Sequence, residues 1–233
     1  MNILAIDTSN DVLGVAIQKD DKVVAEWMTH IKKDHSSRLM PAIVYAMEQV
    51  QMTPEQLDSI VVSQGPGSYT GTRIGVTTAK TLAWSLEKPI YPVSSLETLA
   101  YNGVFQKGYI VPFFDARRQT VFTALYYSDG TSLQLVKEET NMPMEAWLEE
   151  LTDLEETVMF LSPHLAIFQD MIEAKKMNHF YLPKNNFHTP RPSNMFMLRK
   201  TAEVAHTVAP NYLRITEAEA NLLKQKKEQS DET

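Results

Sequence analysis

Apolar and polar positions along this 233-residue chain switch between two periods. Residues 3–6 are a compact apolar run, 12–17 a second and 22–29 a looser third, separated by the polar stretches 8–11 and 19–21. Short apolar runs between tight polar turns predict three strands in an antiparallel meander. After Asp34, a good helix cap, Leu39, Ile43, Met47 and Val50 recur at helical spacing, and the run stops at Thr53-Pro54. The stretch Ser59-Ile60-Val61-Val62-Ser63 predicts a strand by its β-branched content. A glycine-rich loop follows, and a second long helix spans 69–87, ending before Pro89. Residues 90–93 form a further short strand, and Ser94-Ser95 cap a helix through Leu96, Leu99 and Ala100 that ends at Asn102-Gly103.

From Tyr109 the pattern restarts. Strands are expected at 110–114, 120–127 and 132–137, helices at 144–151 and 165–174 around a strand at 158–161, and an amphipathic helix over 193–206 capped by Ser193. The two halves echo each other in topology without an aligned sequence repeat. The expectation is an α/β protein of two lobes, each a mixed β-sheet with β-β-β-α-β-α order. The N-terminal lobe covers 1–105, a smaller C-terminal lobe 106–216, and a charged tail 217–233.

The loop Gly65-Pro66-Gly67-Ser68-Tyr69-Thr70-Gly71-Thr72-Arg73-Ile74-Gly75 lies between a strand and a helix, where exposed amides and the helix dipole attract anions. A Walker A loop would end in Gly-Lys-Ser/Thr, and here Thr72-Arg73 follows Gly71. A dinucleotide fingerprint is weakened by one surplus residue between the second and third glycines. The preferred reading is mechanical. Gly65 and Gly67 permit a turn needing positive φ, while Gly67, Gly71 and Gly75, four residues apart, let another helix come close. Both long helices also carry more apolar surface than one buried face requires. Leu39, Ile43, Met47 and Val50 form one stripe, with Met40, Val44 and Pro41 off it, and Ile74, Leu82 and Leu86 oppose Val76, Ala79 and Ala83. Either a partner protein or the C-terminal lobe covers the spare stripes.

Composition narrows the chemistry. A net charge of -7 disfavours direct polyanion binding except through a local patch or a partner. The absence of cysteine removes disulfides, thiolate metal sites and Cys nucleophiles together, and fits a reducing, cytoplasmic location. The first residues lack a basic segment and reach Asp7 too soon for a signal peptide, and no apolar run approaches membrane-spanning length.

Asp7, with Thr8 and Ser9 beside it at a strand end, is where a magnesium–phosphate site could be built; a carboxylate bonding turn amides is the commoner outcome. His30 and His35 are five apart, the wrong spacing for a helical metal pair. Asp115-Ala116-Arg117-Arg118 reads as a charged hairpin turn, and the acidic cluster 149–156 as a solvated face. All eight glycines fall at or before Gly130, so the second half cannot bring its backbone close to a nucleotide.

Together, Ile3-Leu4-Ala5-Ile6-Asp7-Thr8-Ser9, the run from Gly65 to Gly75, Asp115-Ala116-Arg117, and Pro210-Asn211-Tyr212-Leu213-Arg214 with Ala218-Glu219 resemble the signature set of the TsaB (YeaZ) family. The resemblance implies the actin-like/sugar-kinase (ASKHA) fold. It also implies a scaffold role in bacterial synthesis of threonylcarbamoyladenosine beside the tRNA anticodon, with TsaD as catalytic paralogue and TsaE as ATPase. The two helices after the third strand would pair with the same helices of TsaD, or of a second copy when TsaD is absent. Carried onto this chain, that interface comprises His35, Leu39, Met40, Ile43, Met47, Thr72, Val76, Ala79, Lys80 and Ala83. Asp7, Thr8, Gly65 and Gly67 would be a vestigial or shared nucleotide site. TsaD-type enzymes hold a metal through a His-x-x-x-His pair; His35-Ser36-Ser37-Arg38-Leu39 lacks the second histidine. The chain would thus have no catalytic residue, metal or cofactor of its own. ATP or ADP and a metal ion belong to the partner subunits, and tRNA is met through the complex. An autonomous ATP-dependent phosphotransferase using Asp7 and the glycine loop is the alternative. A TsaD-like peptidase, with no Cys, no G-x-S-x-G elbow and no zinc pair, has little support.

Overall fold

The computed structural model describes residues 1–31 and 34–213. The segment 217–233 and the Ala218-Glu219 part of the signature lie outside the described residues.

The meander forms as β1 (Asn2–Asp7), β2 (Leu13–Lys19) and β3 (Lys22–Thr29), each antiparallel to the next. α1 (His35–Gln49) then crosses back so that β4 (Ser59–Ser63) pairs parallel with β1, and α2 (Tyr69–Ser85) does the same for β5 (Ile90–Val93). The first sheet therefore runs β3-β2-β1-β4-β5. α3 (Ser95–Ala100) is capped by Ser94, whose hydroxyl accepts the amides of Leu96 and Glu97.

The second half repeats the plan. β6 (Gly108–Asp115), β7 (Thr120–Ser128) and β8 (Leu133–Pro143) form a meander, α4 (Met144–Leu151) leads to β9 (Val158–Leu161), and α5 (Leu165–Ala174) to β10 (Phe180–Tyr181). Its order, β10-β9-β6-β7-β8, is the first sheet's order over again, with the same parallel and antiparallel pairs. β8 is longer than the expected 132–137 because its pairing with β7 continues through two register shifts to Pro143.

The layers follow from which face each strand buries. Leu4, Ile6, Val15, Ile17, Ile60 and Val62 point to one side of the first sheet, where α1 and α2 bring Leu39, Ile43, Met47, Val76, Ala79 and Ala83 against them. The opposite face, Ile3, Ala5, Ala16 and Val61, is covered by Met195, Phe196 and Leu198. In the second lobe α4 and α5 pack Trp147, Leu148, Phe168 and Ile172 onto Val111, Phe113 and Phe160, while α3 seals the other face through Leu96 and Leu99.

The amphipathic helix expected over 193–206 is not there. Pro192–Phe196 is a single 3-10 turn, and the chain after it makes no helix through residue 213. Long-range contacts take the groups that a helix would use. Met195 and Phe196 bury on the first sheet, and the Glu203 N–H donates to the Ile90 carbonyl at 2.8 Å, pairing with the free edge of β5.

Candidate functional site

β1 and β4 are parallel, with Ile6 opposite Val62, so Asp7 and Ser63 end at the same edge of the first sheet. Ligands in open α/β sheets gather at this carboxyl edge. Residues 8–12 turn back into β2 there, and residues 64–68 lead into α2. The two loops interlock. The Ser68 N–H donates to the Ser9 carbonyl at 2.6 Å, and the Thr8 hydroxyl donates to the Gly71 carbonyl at 2.7 Å.

A Cβ at Gly67 would overlap the Ser9 carbonyl oxygen, one at Gly71 the Thr8 carbonyl oxygen, and one at Gly75 the Thr8 Oγ1. The glycine stripe does serve close approach, but what approaches is the chain's own first turn, not another helix. Gly65 has the expected positive φ, +102°. Gly67 does not adopt one, so its lack of a side chain is explained by Ser9 alone. At the head of α2 the Ser68 N–H is taken by Ser9, and the Gly71 N–H by the Ser68 hydroxyl at 3.2 Å.

Asp7 is buried, and its Oδ1 accepts the Ser9 N–H at 2.9 Å and the Ser9 hydroxyl at 2.7 Å. Burial pushes its carboxyl above the ordinary carboxylate value; the Ser9 bonds, Ser63 and His35 pull the other way without cancelling it. This is a carboxylate bonding its own turn.

The second lobe delivers the equivalent strand ends to the same place. Asp115 closes β6 and accepts the Arg117 N–H at 2.8 Å, while His164, just past β9, takes the Asp115 N–H on Nδ1 at 3.2 Å. Between the lobes lies a cleft of about 600 Å³, walled by Ser9, Asn10, Gly67, Thr70, Phe114 and His164 among others. The His164 Nε2 stands 3.7 Å from the Asp11 carboxylate of the first lobe, spanning the cleft. Nothing in the sequence pattern singled out His164, because the contact exists only once both lobes fold.

The residues expected at a partner surface fall differently. Leu39, Ile43, Met47, Thr72, Val76, Ala79 and Ala83 are buried in or against the first lobe's core, Ala79 with no exposed surface. His35 is half-buried, with Nε2 2.9 Å from the Asn10 carbonyl. Lys80 donates to the carbonyls of His206 and Val208, at 3.2 and 2.7 Å. Only Met40 of that set faces outward to a large extent, 43% exposed. On α1 the stripe Leu39, Ile43 and Met47 went to the sheet; on α2 the small-residue stripe Val76, Ala79 and Ala83 is buried, and Ile74, Leu82 and Leu86 are half-buried. The outward face carries Met40, Val44 and Tyr45 on α1, and Tyr69 and Trp84 on α2, Trp84 being 76% exposed. Among the described residues, no group of three or more His, Asp or Glu side chains could hold a metal, and no helix is long and apolar enough to cross a membrane.

A family model described as TsaD: tRNA N6-adenosine threonylcarbamoyltransferase matches residues 24–222. The tRNA threonylcarbamoyladenosine biosynthesis protein TsaB of Bacillus subtilis (strain 168) is 47% identical over 229 residues, covering 97% of this chain and 100% of that protein. YeaZ from Pseudomonas aeruginosa superposes with a TM-score of 0.75 at 21% identity, over 91% of this chain and 99% of that one. Component A of (R)-2-hydroxyglutaryl-CoA dehydratase from Acidaminococcus fermentans gives 0.50 at 10% identity, over 85% and 97%. Two lobes of one strand order, facing each other across their strand ends, make this an actin-like/sugar-kinase (ASKHA) fold. Within that class the chain belongs to the TsaB (YeaZ) family.

Proposed function

We propose that this chain serves tRNA threonylcarbamoyladenosine biosynthesis as a non-catalytic scaffold in the cytoplasm, pairing through the outer face of α1 and α2 with a TsaD-type enzyme. The observation that carries this is the exposed apolar set Met40, Val44, Tyr45 and Trp84 on two adjacent helices. Met40, Val44 and Tyr45 cluster on α1, and Trp84 stands on α2 toward the β5 edge; clustered exposed apolar residues mark interfaces, and tryptophan and tyrosine are over-represented among residues that dominate binding energy. A second copy of the chain would take the same face when TsaD is absent. TsaE joins the complex, tRNA is engaged through it, and ATP or ADP and a metal ion are held by the partners.

The glycine loop supports this reading from the other side. Two of its entry amides are already bonded, Ser68 to Ser9 and Gly71 to the Ser68 hydroxyl, which supports a packing role for the loop. Val44→Asp with Trp84→Asp should abolish co-purification with TsaD while leaving the circular dichroism and melting of the monomer close to wild type. Intact pairing by that variant would contradict the proposal.

One feature favours the alternative, an autonomous phosphotransferase. The interlobe cleft, at about 600 Å³, has the size of a small-molecule pocket. Titrating the isolated chain with ATP and magnesium in a calorimeter decides between the two, and a saturable heat that Asp7→Asn removes would favour the enzyme.

A further inference from the structure

The last described segment does something that neither the scaffold reading nor the glycine loop accounts for. After Leu198 the chain leaves one face of the first sheet, pairs Glu203 with Ile90 at the β5 edge, and emerges on the helical side, where Ala205 and Val208 enter the core of the first lobe. It then follows α2 in the opposite direction. The Lys80 ammonium holds the carbonyls of His206 and Val208, and farther along the Arg73 Nε donates to the Tyr212 hydroxyl at 2.6 Å.

The segment ends in two side chains that reach different bodies. The Tyr212 ring lies 5.1 Å from that of Tyr69, and the Arg73 guanidinium lies over the Tyr69 ring at 3.9 Å. The Asn211 N–H donates to the Gln64 carbonyl at 2.7 Å, beside the glycine loop. Its side-chain Nδ2 donates to Glu139 Oε2 on β8 of the second lobe at 2.9 Å, and the other oxygen of that carboxylate accepts the Ser94 hydroxyl, the cap of α3. Asn211 is thus bonded to the loop that enters α2 and, through Glu139, to the second lobe and the head of α3.

We propose that residues 203–212 are a strap, locked by Asn211 and Tyr212, that fixes α2 and the second lobe relative to each other and so holds the partner-binding face in register. In that role Asn211 and Tyr212 are positioning residues. Proline suits an extended strap because it cannot continue a helix. The effect on pairing rests on the scaffold reading; the lock itself does not.

The test is amide hydrogen exchange on the full chain, as wild type, Tyr212→Ala, Tyr212→Phe and Asn211→Ala, with each protein also titrated against the TsaD-type partner. In Tyr212→Ala and Asn211→Ala, the amides of Glu203 and Asn211 should exchange at least about tenfold faster, while the Ile60 amide inside the first sheet keeps its protection. Partner affinity should fall by about tenfold or more. Tyr212→Phe keeps both ring contacts and loses only the hydroxyl, so it should restore most of the protection and affinity. Wild-type exchange at Glu203 and Asn211 in both alanine variants would overturn the lock. So would equal acceleration at Ile60, which would make the segment ordinary core. Loosened strap amides with unchanged affinity would overturn the link to pairing. If the wild-type chain itself does not pair, the scaffold reading falls, and the strap is judged on the exchange rates alone.

Discussion

Asp7 shows how one residue type in one place can be read two ways until its neighbours are known. A carboxylate at a strand end followed by Thr8 and Ser9 suits a magnesium–phosphate site, yet here Oδ1 is occupied by two donors from Ser9 and the side chain is buried. The folded protein holds the Asp7 proton more firmly than the unfolded chain does. Its contribution to stability is therefore greatest below the ordinary value of 3.8 and falls as pH rises from there through the higher folded value. Asp7→Asn keeps an amide oxygen for both Ser9 donors and removes the charge. Thermal melts from about pH 4 to about pH 8 should show the variant at least as stable as wild type at neutral pH, with a shallower decline as pH rises through that window. A variant that melts well below wild type at neutral pH would mean that the charge is needed, contrary to this account.

The glycines were legible in kind and not in object. Four-residue spacing at Gly67, Gly71 and Gly75 says that something comes close along one line of a helix. Spacing alone cannot say whether that something is another helix or a turn 60 residues earlier in the chain, because the pairing of β1 with β4 creates the contact.

At the level of elements, periodicity located the first five helices and every meander strand except β8, which runs on to Pro143, within a few residues, because each has one face against a core. It failed where two readings share a pattern. On α1 the stripes Leu39, Ile43, Met47 and Met40, Val44 are both apolar, and only the sheet beneath decides which is inside. Residues 193–206 have helical periodicity, but Met195 and Phe196 gain more from the bare face of the first sheet, and the Glu203 amide from an open strand edge, than from a solvent-exposed helix. The consequence for mutagenesis is direct. Ala79→Arg forces a charge into a core position with no exposed surface and should unfold the first lobe. Trp84→Ala, on the outer face of the same helix, should change unfolding free energy by less than about 0.5 kcal/mol and weaken partner binding by a factor of about 30 or more, the loss expected of a buried aromatic anchor. Urea titration and binding measurements on the same two proteins check both halves of that contrast.

The molecule as a whole is built from one topological plan used twice, with the chain then returning from the second lobe to bind the first. The repeat was visible in the order of predicted elements, although the sequences of the halves do not align, because patterning and connectivity can persist after side-chain identity is lost. The return was invisible. It depends on Lys80 and Arg73 of α2 and Glu139 of β8 meeting one returning segment. The C-terminal half supplies Asp115 and His164 to the cleft.

The most direct trial is formation of threonylcarbamoyladenosine on tRNA in a reconstituted system containing TsaD and TsaE, in the presence of either the wild-type chain or Val44→Asp/Trp84→Asp. The account predicts normal synthesis with wild type and near-complete loss with a folded double variant. Synthesis at the wild-type rate with that variant as the sole source of the chain would contradict it.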